Sequence, residues 1–360
     1  MSLLKNIISK SDSTTDSHPL SPDTNTIYSF GSQSHQNYGQ MIFNEGGQLY
    51  GYTNEKENAW DITGDELRLL DKYGNVSSTF KKFGEIWLGH AEGSKWPYYL
   101  LPLITLKAAA KSQDFSNNGF FINSIPKAGT YFLEDALNKS GVQSVRLHLT
   151  GYDVVDDFRE LRDEEIHVNP GRVRINCPVH LVTSILKGRA AVGHVEVANS
   201  ILKMHDQGVT VFNLRRNLRD VLVSLYRFKY RKVTPFGDFD LHWRAMSESS
   251  RFIAFLITYA QHEIAHIKAI AEMMLSDDQS INLTYEDMCV GHFNEDIKAK
   301  LDAVQHGFAD KLAVMLKAQY GVDNPTFSGN RSNWQQFWNE DVESFFNTSG
   351  LAQLNHRLGY

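Results

Sequence analysis

The sequence predicts a mixed α/β protein in which a small β-rich domain precedes a parallel sheet flanked by helices. From about residue 114, short apolar runs alternate with long helical repeats, the pattern of parallel strands joined by crossover helices. Between Ile27 and about Trp96, short apolar runs are instead separated closely by turn residues, which is typical of an antiparallel sheet or barrel. We therefore expect three parts: a flexible tail over 1–26, a β-rich accessory domain over 27–112 and the α/β domain over 113–360.

Composition narrows the class of protein. With 360 residues, 42% hydrophobic and 22% charged, the chain has room for two domains of a soluble globular protein. A net charge of −6 does not favour a nucleic-acid partner. Two cysteines argue against a disulfide framework, and no apolar run approaches the roughly 18 residues of a membrane span. We expect a cytoplasmic protein, and the sequence leaves its oligomeric state open.

The β-rich part offers no catalytic cluster. Tyr38–Tyr52 alternates around the turn Asn44–Gly47, which predicts a hairpin, and further short strands are expected at Trp60–Ile62, Leu67–Leu70 and Ile86–Leu88. Trp60 and Trp87 are either exposed rings that stack on a sugar or members of the domain core. We favour the core interpretation for both.

The α/β part is organised around one stretch. Phe120 to Ile125 is apolar enough for a buried strand, Pro126 stops it, and a helix begins near Thr130. Gly129 permits a tight turn, and Lys127 adds a positive charge at its mouth. A strand, a short loop and a helix N-terminus together favour a bound phosphate or sulfate. The alternative is an ordinary strand–helix connection, and the order of Lys127 and Gly129 is not that of a Walker loop.

A second basic motif follows another predicted strand. Val209–Leu214 is apolar, Arg216 follows at the carboxyl end where open α/β sheets bind ligands, and Leu218–Tyr230 is a predicted helix. A guanidinium matches phosphate geometry, and the Ser224 hydroxyl lies close to the same face. Some basic residues here form only a solvated face. The remaining elements expected are strands at 189–195 and 280–284 and one long helix over 251–275.

These motifs resemble those of a known family. The order Pro-Lys-x-Gly-Thr-x-aromatic-Leu from Pro126 resembles the 5′-phosphosulfate loop of sulfotransferases that use 3′-phosphoadenosine 5′-phosphosulfate (PAPS). The order Arg-Asn-x-basic-Asp-Val-x-Val-Ser from Arg216 is similar to their 3′-phosphate motif. The resemblance covers roughly residues 115–360. It implies a P-loop-like sulfotransferase fold, PAPS as donor, 3′,5′-diphosphoadenosine (PAP) as product, and no metal.

The resemblance also implies which residues hold the cofactor. Tyr285, in a strand-end Tyr-Glu-Asp, would contact adenine, with Phe132 where the family usually has tryptophan; Phe132 is alternatively ordinary core. The segment Phe327–Phe337 resembles the family's cofactor-closing loop but lacks its basic pair, so Arg331 would take the cationic role. The implied cofactor-binding residues are Lys127, Ala128, Gly129, Thr130, Tyr131, Phe132, Arg216, Ser224, Tyr285, Gly329 and Arg331.

By the same resemblance, the implied catalytic residues are His194, Lys127 and Ser224. His194 ends a predicted strand and precedes the arginine motif by a helix and a strand, as the family's general base does. His180 and His205 are its rivals. We expect the base to titrate near the free-histidine pKa of about 6.5.

The predicted function is transfer of a sulfuryl group from PAPS to a hydroxyl, or to an amine N–H. The acceptor would be a small molecule, a natural product or a carbohydrate, bound by segments 151–178 and 233–250, and transfer would be direct and in line. Two other functions stay open: a P-loop-type nucleotide kinase that needs Mg²⁺, and a non-catalytic glycan-binding protein with a degenerate transferase core.

Overall fold

A computed structural model describes residues 21–34, 36–91, 93–106, 115, 119–168, 171–321 and 334–360 of the chain. The chain divides into two compact units, residues 1–105 and 106–360. The mixed α/β class is confirmed. The predicted boundary between 112 and 113, and the first twenty residues of the predicted tail, lie outside the described residues, so the predicted domain limits stay a prediction.

The first unit is an eight-stranded antiparallel sheet in the order β3-β2-β1-β8-β7-β6-β5-β4. The two outer strands meet, because Gln48 bridges Ala59 and the Trp60 N–H donates to the Gly47 carbonyl at 2.8 Å. This contact brings the two ends of the sheet together, so the sheet curls into a barrel. Its strands are β1 Thr26–Ser32, β2 Gln36–Phe43, β3 Leu49–Gly51, β4 Ala59–Thr63, β5 Glu66–Leu70, β6 Val76–Phe83, β7 Ile86–Ala91 and β8 Tyr98–Thr105.

Both tryptophans in question belong to the barrel core. Trp87 is 1% exposed and packs with Phe30, Phe80 and other buried side chains. Trp60 packs against the same cluster, and its indole N–H donates to the Asn44 and Gln48 carbonyls at 3.1 and 3.2 Å. The core interpretation is confirmed.

The second unit contains a seven-stranded sheet in the order β12-β11-β10-β13-β9-β14-β15. The five strands from β10 to β15 in that order run parallel, and β11 and β12 extend the sheet in antiparallel fashion. The carboxyl ends of the parallel strands thus lie along one edge. The strands are β9 Phe120–Ser124, β10 Gln143–Thr150, β11 Val154–Asp157, β12 Arg174–Asn176, β13 Arg189–His194, β14 Thr210–Arg215 and β15 Ile281–Thr284.

The helices of this unit connect the strands and extend beyond them. None of those in the described residues is long and apolar enough to cross a membrane. They are α1 Thr130–Lys139, α2 Asp163–Val168, α3 Val179–Ser184, α4 Ala198–Asp206, α5 Leu218–Lys232, α6 Gly237–Ala245, α7 Glu248–Ala254, α8 Gln261–Ser276, α9 Tyr285–Val290, α10 Glu295–Val304, α11 Phe308–Gln319, α12 Glu340–Thr348 and α13 Leu351–Arg357.

The single long helix expected over 251–275 is wrong. A π-helical turn, Phe255–Tyr259, separates α7 from α8. The wider turn brings Phe255 and Tyr259 onto the buried ring of Trp243, with centroids 5.0 and 5.8 Å from it. Tertiary packing of three aromatic rings thus prevails over the regular helical repeat.

Candidate functional site

The loop between β9 and α1 has the form that the sequence predicts. Ile125 donates its N–H to the Leu214 carbonyl at 3.0 Å, and Ala128 closes a turn on Ile125 at 2.9 Å. Gly129 has a φ of 104°, and α1 follows it without a side-chain cap. A Cβ on Gly129 would stand 2.8 Å from the Tyr285 ring, so this position has room only for glycine. The uncapped helix start presents backbone N–H groups to an anion.

Lys127 occupies this loop in the left-handed region, with a φ of 71°. That conformation is unfavourable for a residue with a Cβ and is typical of sites where function selects it. The half-buried side chain places Nζ 4.1 Å from the centroid of the Phe228 ring. Burial, together with the neighbouring charges of Arg216 and Lys229, lowers the pKa of Lys127 to about 8.

Arg216 joins the loop to the end of β15. It is 7% exposed, its Nη1 donates to the Lys127 carbonyl at 3.2 Å, and its guanidinium lies 4.0 Å from the centroid of the Tyr285 ring. Lys127, Arg216 and Tyr285, here called the cation cluster, therefore meet although they are far apart in sequence. Two buried cations next to an uncapped helix start are suited to an anionic ligand.

The other predicted cofactor residues are placed less tightly. Phe132 and Tyr285 are each 3% exposed, with ring centroids 6.2 Å apart, so an adenine would reach only an edge of either ring. Ser224 is half-buried in α5, and its hydroxyl makes no hydrogen bond to another described side chain. Gly329 and Arg331 lie outside the described residues. These assignments, like those of the other predicted cofactor-binding and catalytic residues, stay predictions.

His194 is held by the backbone at the end of β9. Its Nδ1 is 2.7 Å from the Ser124 carbonyl oxygen, which can only accept, so the neutral ring carries its proton on Nδ1. The lone pair is then on Nε2. The Ser124 hydroxyl lies 3.2 Å from the same Nδ1 and 2.6 Å from the Thr130 hydroxyl, which links the base position to the first residue of α1.

The sequence led us to expect an ordinary pKa for His194. In the structure its pKa is lower. Burial, and next the proximity of His148, hold the pKa of His194 well below 6.5. The ring is therefore uncharged at neutral pH, the form that accepts a proton. The rival His205 has another role: its Nε2 lies 3.4 Å from Asp277, in a network that includes Ser280. His180 lies in α3, and burial lowers its pKa as well.

Three residues near His194 were missed by the sequence reasoning. The ring of His148 lies 4.8 Å from that of His194, edge to face, and burial lowers the pKa of His148 to about 4. His266 donates from Nε2 to the His194 carbonyl at 3.2 Å and to Glu196 Oε2 at 3.1 Å. We call His148, His194, Glu196 and His266 the histidine cluster. Within the described ranges, no group of histidine, cysteine and carboxylate side chains is arranged to hold a metal ion.

A glycine in β13 permits the close approach of His148 and His194. Gly193 lies beside Leu149 of β10, and a Cβ on Gly193 would stand 2.2 Å from the Leu149 carbonyl oxygen. No other residue fits without separating the two strands. Gly151 makes room for the Glu196 carboxylate in a similar way, because a Cβ on Gly151 would stand 2.0 Å from Glu196 Oε2.

Comparison with known proteins adds only remote similarities. No family model matches the sequence, and no curated protein matches it. Among solved structures, mouse sulfotransferase SULT7A1 complexed with PAP is 14% identical with a TM-score of 0.38, and the match covers 68% of this chain and 88% of that one. Two structures of retinol dehydratase also match, one in complex with androsterone and inactive cofactor PAP and one with retinol and PAP. Each is 14% identical to this chain with a TM-score of 0.38. Each match covers 67% of this chain, and the two cover 80% and 81% of the retinol dehydratase chains.

Proposed function

We propose that the chain is a sulfotransferase of P-loop-like fold that transfers a sulfuryl group from PAPS to a hydroxyl or an amine N–H of a small-molecule or carbohydrate acceptor. The observation that carries this proposal is that the cation cluster and the uncharged His194 lie at the carboxyl ends of neighbouring parallel strands, joined through Ser124 and Thr130. An anion site next to a proton acceptor is what sulfuryl transfer to a protic nucleophile needs.

The donor would bind through the cation cluster. The loop N–H groups and Lys127 suit the 5′-phosphosulfate, and Arg216, with Ser224 and Arg331, suits the 3′-phosphate. When bound, PAPS would supply the sulfuryl group. Lys127 stabilises the negative charge that grows during transfer, and an anion beside it raises its pKa above the present value of about 8, so the charge is kept.

The acceptor would lose its proton to His194. Nδ1 is committed to the Ser124 carbonyl, so Nε2 is the atom that accepts the proton. After transfer, the ring is a cation among groups that disfavour a positive charge, including His148 and Lys127. The imidazolium is therefore short-lived and returns its proton readily to solvent, which resets the base.

The decisive experiment is a comparison of nucleotide affinities by isothermal titration. The intact protein should bind PAP far more tightly than AMP or ATP. Arg216→Ala should weaken PAP binding by about 1.5–3 kcal/mol, the scale of a hydrogen bond to a charged group, because its guanidinium would be lost from a buried site. Arg231→Ala, an exposed change near the end of α5, the helix that follows Arg216, is the control and should leave affinity unchanged.

Each alternative function predicts a different experimental result. Equal affinity for AMP and PAP would remove the 3′-phosphate assignment. Magnesium-dependent phosphoryl transfer from ATP would support the kinase. Binding of PAP with no turnover of PAPS on any acceptor would support a glycan-binding protein with a degenerate core.

A further inference from the structure

One end of the barrel in the first unit carries a group of polar side chains that the proposed transfer does not use. This end of the barrel is where β1, β3, β5 and β7 finish and where β2, β4, β6 and β8 begin, because neighbouring strands are antiparallel. Five side chains lie there, here called the polar mouth: Tyr38, Tyr52, Glu57, Ser78 and Tyr98.

The three tyrosines form an aromatic layer over the core. Their ring centroids lie 5.2, 5.6 and 5.7 Å from that of Phe30, which is 1% exposed. Each tyrosine is half-buried. One part of each ring therefore packs on the barrel core, and the rest remains accessible at the mouth.

Glu57 is buried at this end, and burial raises the pKa of its carboxyl, although Asn54 and the charge of the exposed Lys56 partly oppose this. It is 6% exposed, and in the described residues it forms no ion pair. Its backbone N–H donates to Asn54 Oδ1 at 2.9 Å, and Asn54 Nδ2 donates to the Tyr52 hydroxyl at 2.7 Å, which fixes Glu57 beside Tyr52. Glu55, two residues earlier, is by contrast exposed and pairs with Lys72 at 2.8 Å. A buried carboxylate without a counter-ion is unfavourable, so the site lacks a positive charge.

The charge of Glu57 reaches across the mouth. After burial itself, the carboxylate is a cause of the raised pKa of Tyr52, and it contributes to that of Tyr98. In the closed strand order, β8 with Tyr98 is four places from β4, which follows Glu57. The charge of the Glu57 carboxylate thus acts on Tyr98, on the opposite wall of the barrel.

Ser78 adds a second unsatisfied group. It is 2% exposed, and its hydroxyl has no hydrogen-bond partner in the described part of the chain. Strand alternation places it on the same face of β6 as the core residue Phe80. Buried polar groups are nearly always paired, so the unpaired Ser78 hydroxyl, at the same end as a buried carboxylate that forms no ion pair in the described residues, indicates a missing ligand.

We propose that the polar mouth binds a small organic cation, with Glu57 as counter-ion and the tyrosine rings as its walls. The faces of aromatic rings attract cations, and an alkylated ammonium also buries apolar surface against them. A neutral sugar would stack on the rings but leave the carboxylate uncompensated. This binding site is separate from the transfer reaction and does not depend on it.

The test uses the full chain and two probes of nearly equal shape, choline and its uncharged carbon isostere dimethylbutanol, by isothermal titration at constant ionic strength. Choline should bind about tenfold more tightly than the isostere, since the aromatic rings attract a desolvated cation and not an uncharged group of the same shape. Glu57→Gln should weaken choline binding by about tenfold. The matched control Glu55→Gln removes an exposed carboxylate two residues away and should change nothing.

Three results would overturn the proposal: equal affinity for the two probes, no detectable binding of choline, or unchanged choline affinity in Glu57→Gln. The comparison of probes on the unmodified protein needs no variant, so it decides the matter even if Glu57→Gln does not fold. Tighter binding of glucose than of choline would likewise contradict a cation site and indicate sugar recognition.

Discussion

The cation cluster and the histidine cluster lie side by side and are both at least half-buried, but Lys127 keeps its charge and the histidines His148 and His194 do not. Burial lowers the pKa of Lys127 only to about 8, so most of its charge survives at neutral pH. The same effect on His194 and His148 starts from an ordinary pKa of about 6.5 and leaves both rings uncharged. One physical cause therefore yields an anion-binding site on one side and a proton acceptor on the other.

The largest effect should come from the histidine cluster. His194→Asn should lower sulfuryl transfer by about 10²–10⁴-fold, the usual range for loss of a general base. PAP affinity should be nearly unchanged, because the proposed role of His194 is to accept the proton of the acceptor and not to bind the donor. Turnover measured with labelled PAPS checks the loss of rate, and PAP titration on the same variant checks the unchanged affinity. His180→Asn serves as control. Loss of PAP binding in His194→Asn would instead move the residue to the donor site.

The cation cluster should show the next largest effect. Lys127→Ala should lower kcat by about a hundredfold, the scale for removing one charge-stabilising group. Gly129 and the start of α1 are untouched, so the loop should keep its shape, which circular dichroism and PAP titration can check. Lys139→Ala, at the exposed end of α1 and paired with Asp135, is the control. Normal turnover in Lys127→Ala would show that Lys127 has no part in the reaction.

The pH dependence sharpens the comparison further. Because only the uncharged imidazole accepts a proton and the pKa of His194 is lowered, kcat/KM should rise through a pKa below 6.5. It should fall again near pH 8, where free Lys127 loses its proton. In kcat the basic limb should move to higher pH, since a bound anion raises the lysine pKa. An acid limb at or above 6.5 would contradict the burial of His194.

The smallest expected effect is that of a chelator. Neither cluster uses a metal in the proposed mechanism, so transfer measured in EDTA should equal transfer in its absence. Loss of activity that Mg²⁺ restores would favour the kinase alternative.

The cation cluster could be predicted because its members follow strands directly in the sequence. Lys127 comes just after β9 and Arg216 just after β14, and parallel strand ends meet at one edge. Their contact through the Lys127 carbonyl follows from that topology. The left-handed φ of Lys127 could not be foreseen, since glycine at 129 already accounted for the turn.

Of the histidine cluster, only His194 is predicted from the sequence. Val145, Leu147 and Leu149 alternate with polar residues, a pattern that indicates β10 and places His148 on its opposite face, but β10 is not among the strands predicted above. His266 has no local signal, because only the packing of α8 on the end of β13 brings it to Glu196. Closure of the barrel likewise depends on a single long-range bridge between Gln48 and Ala59.

Gly193 has a consequence for laboratory evolution. Libraries aimed at new acceptors would naturally vary residues next to the base, yet any side chain at 193 meets the Leu149 carbonyl and separates β10 from β13. Such variants should lose the contact between His148 and His194 before any change in specificity appears. Diversity is better placed in 152–178 and 233–250, with Gly151 and Gly193 kept constant, so that selection acts on recognition while the base retains its environment.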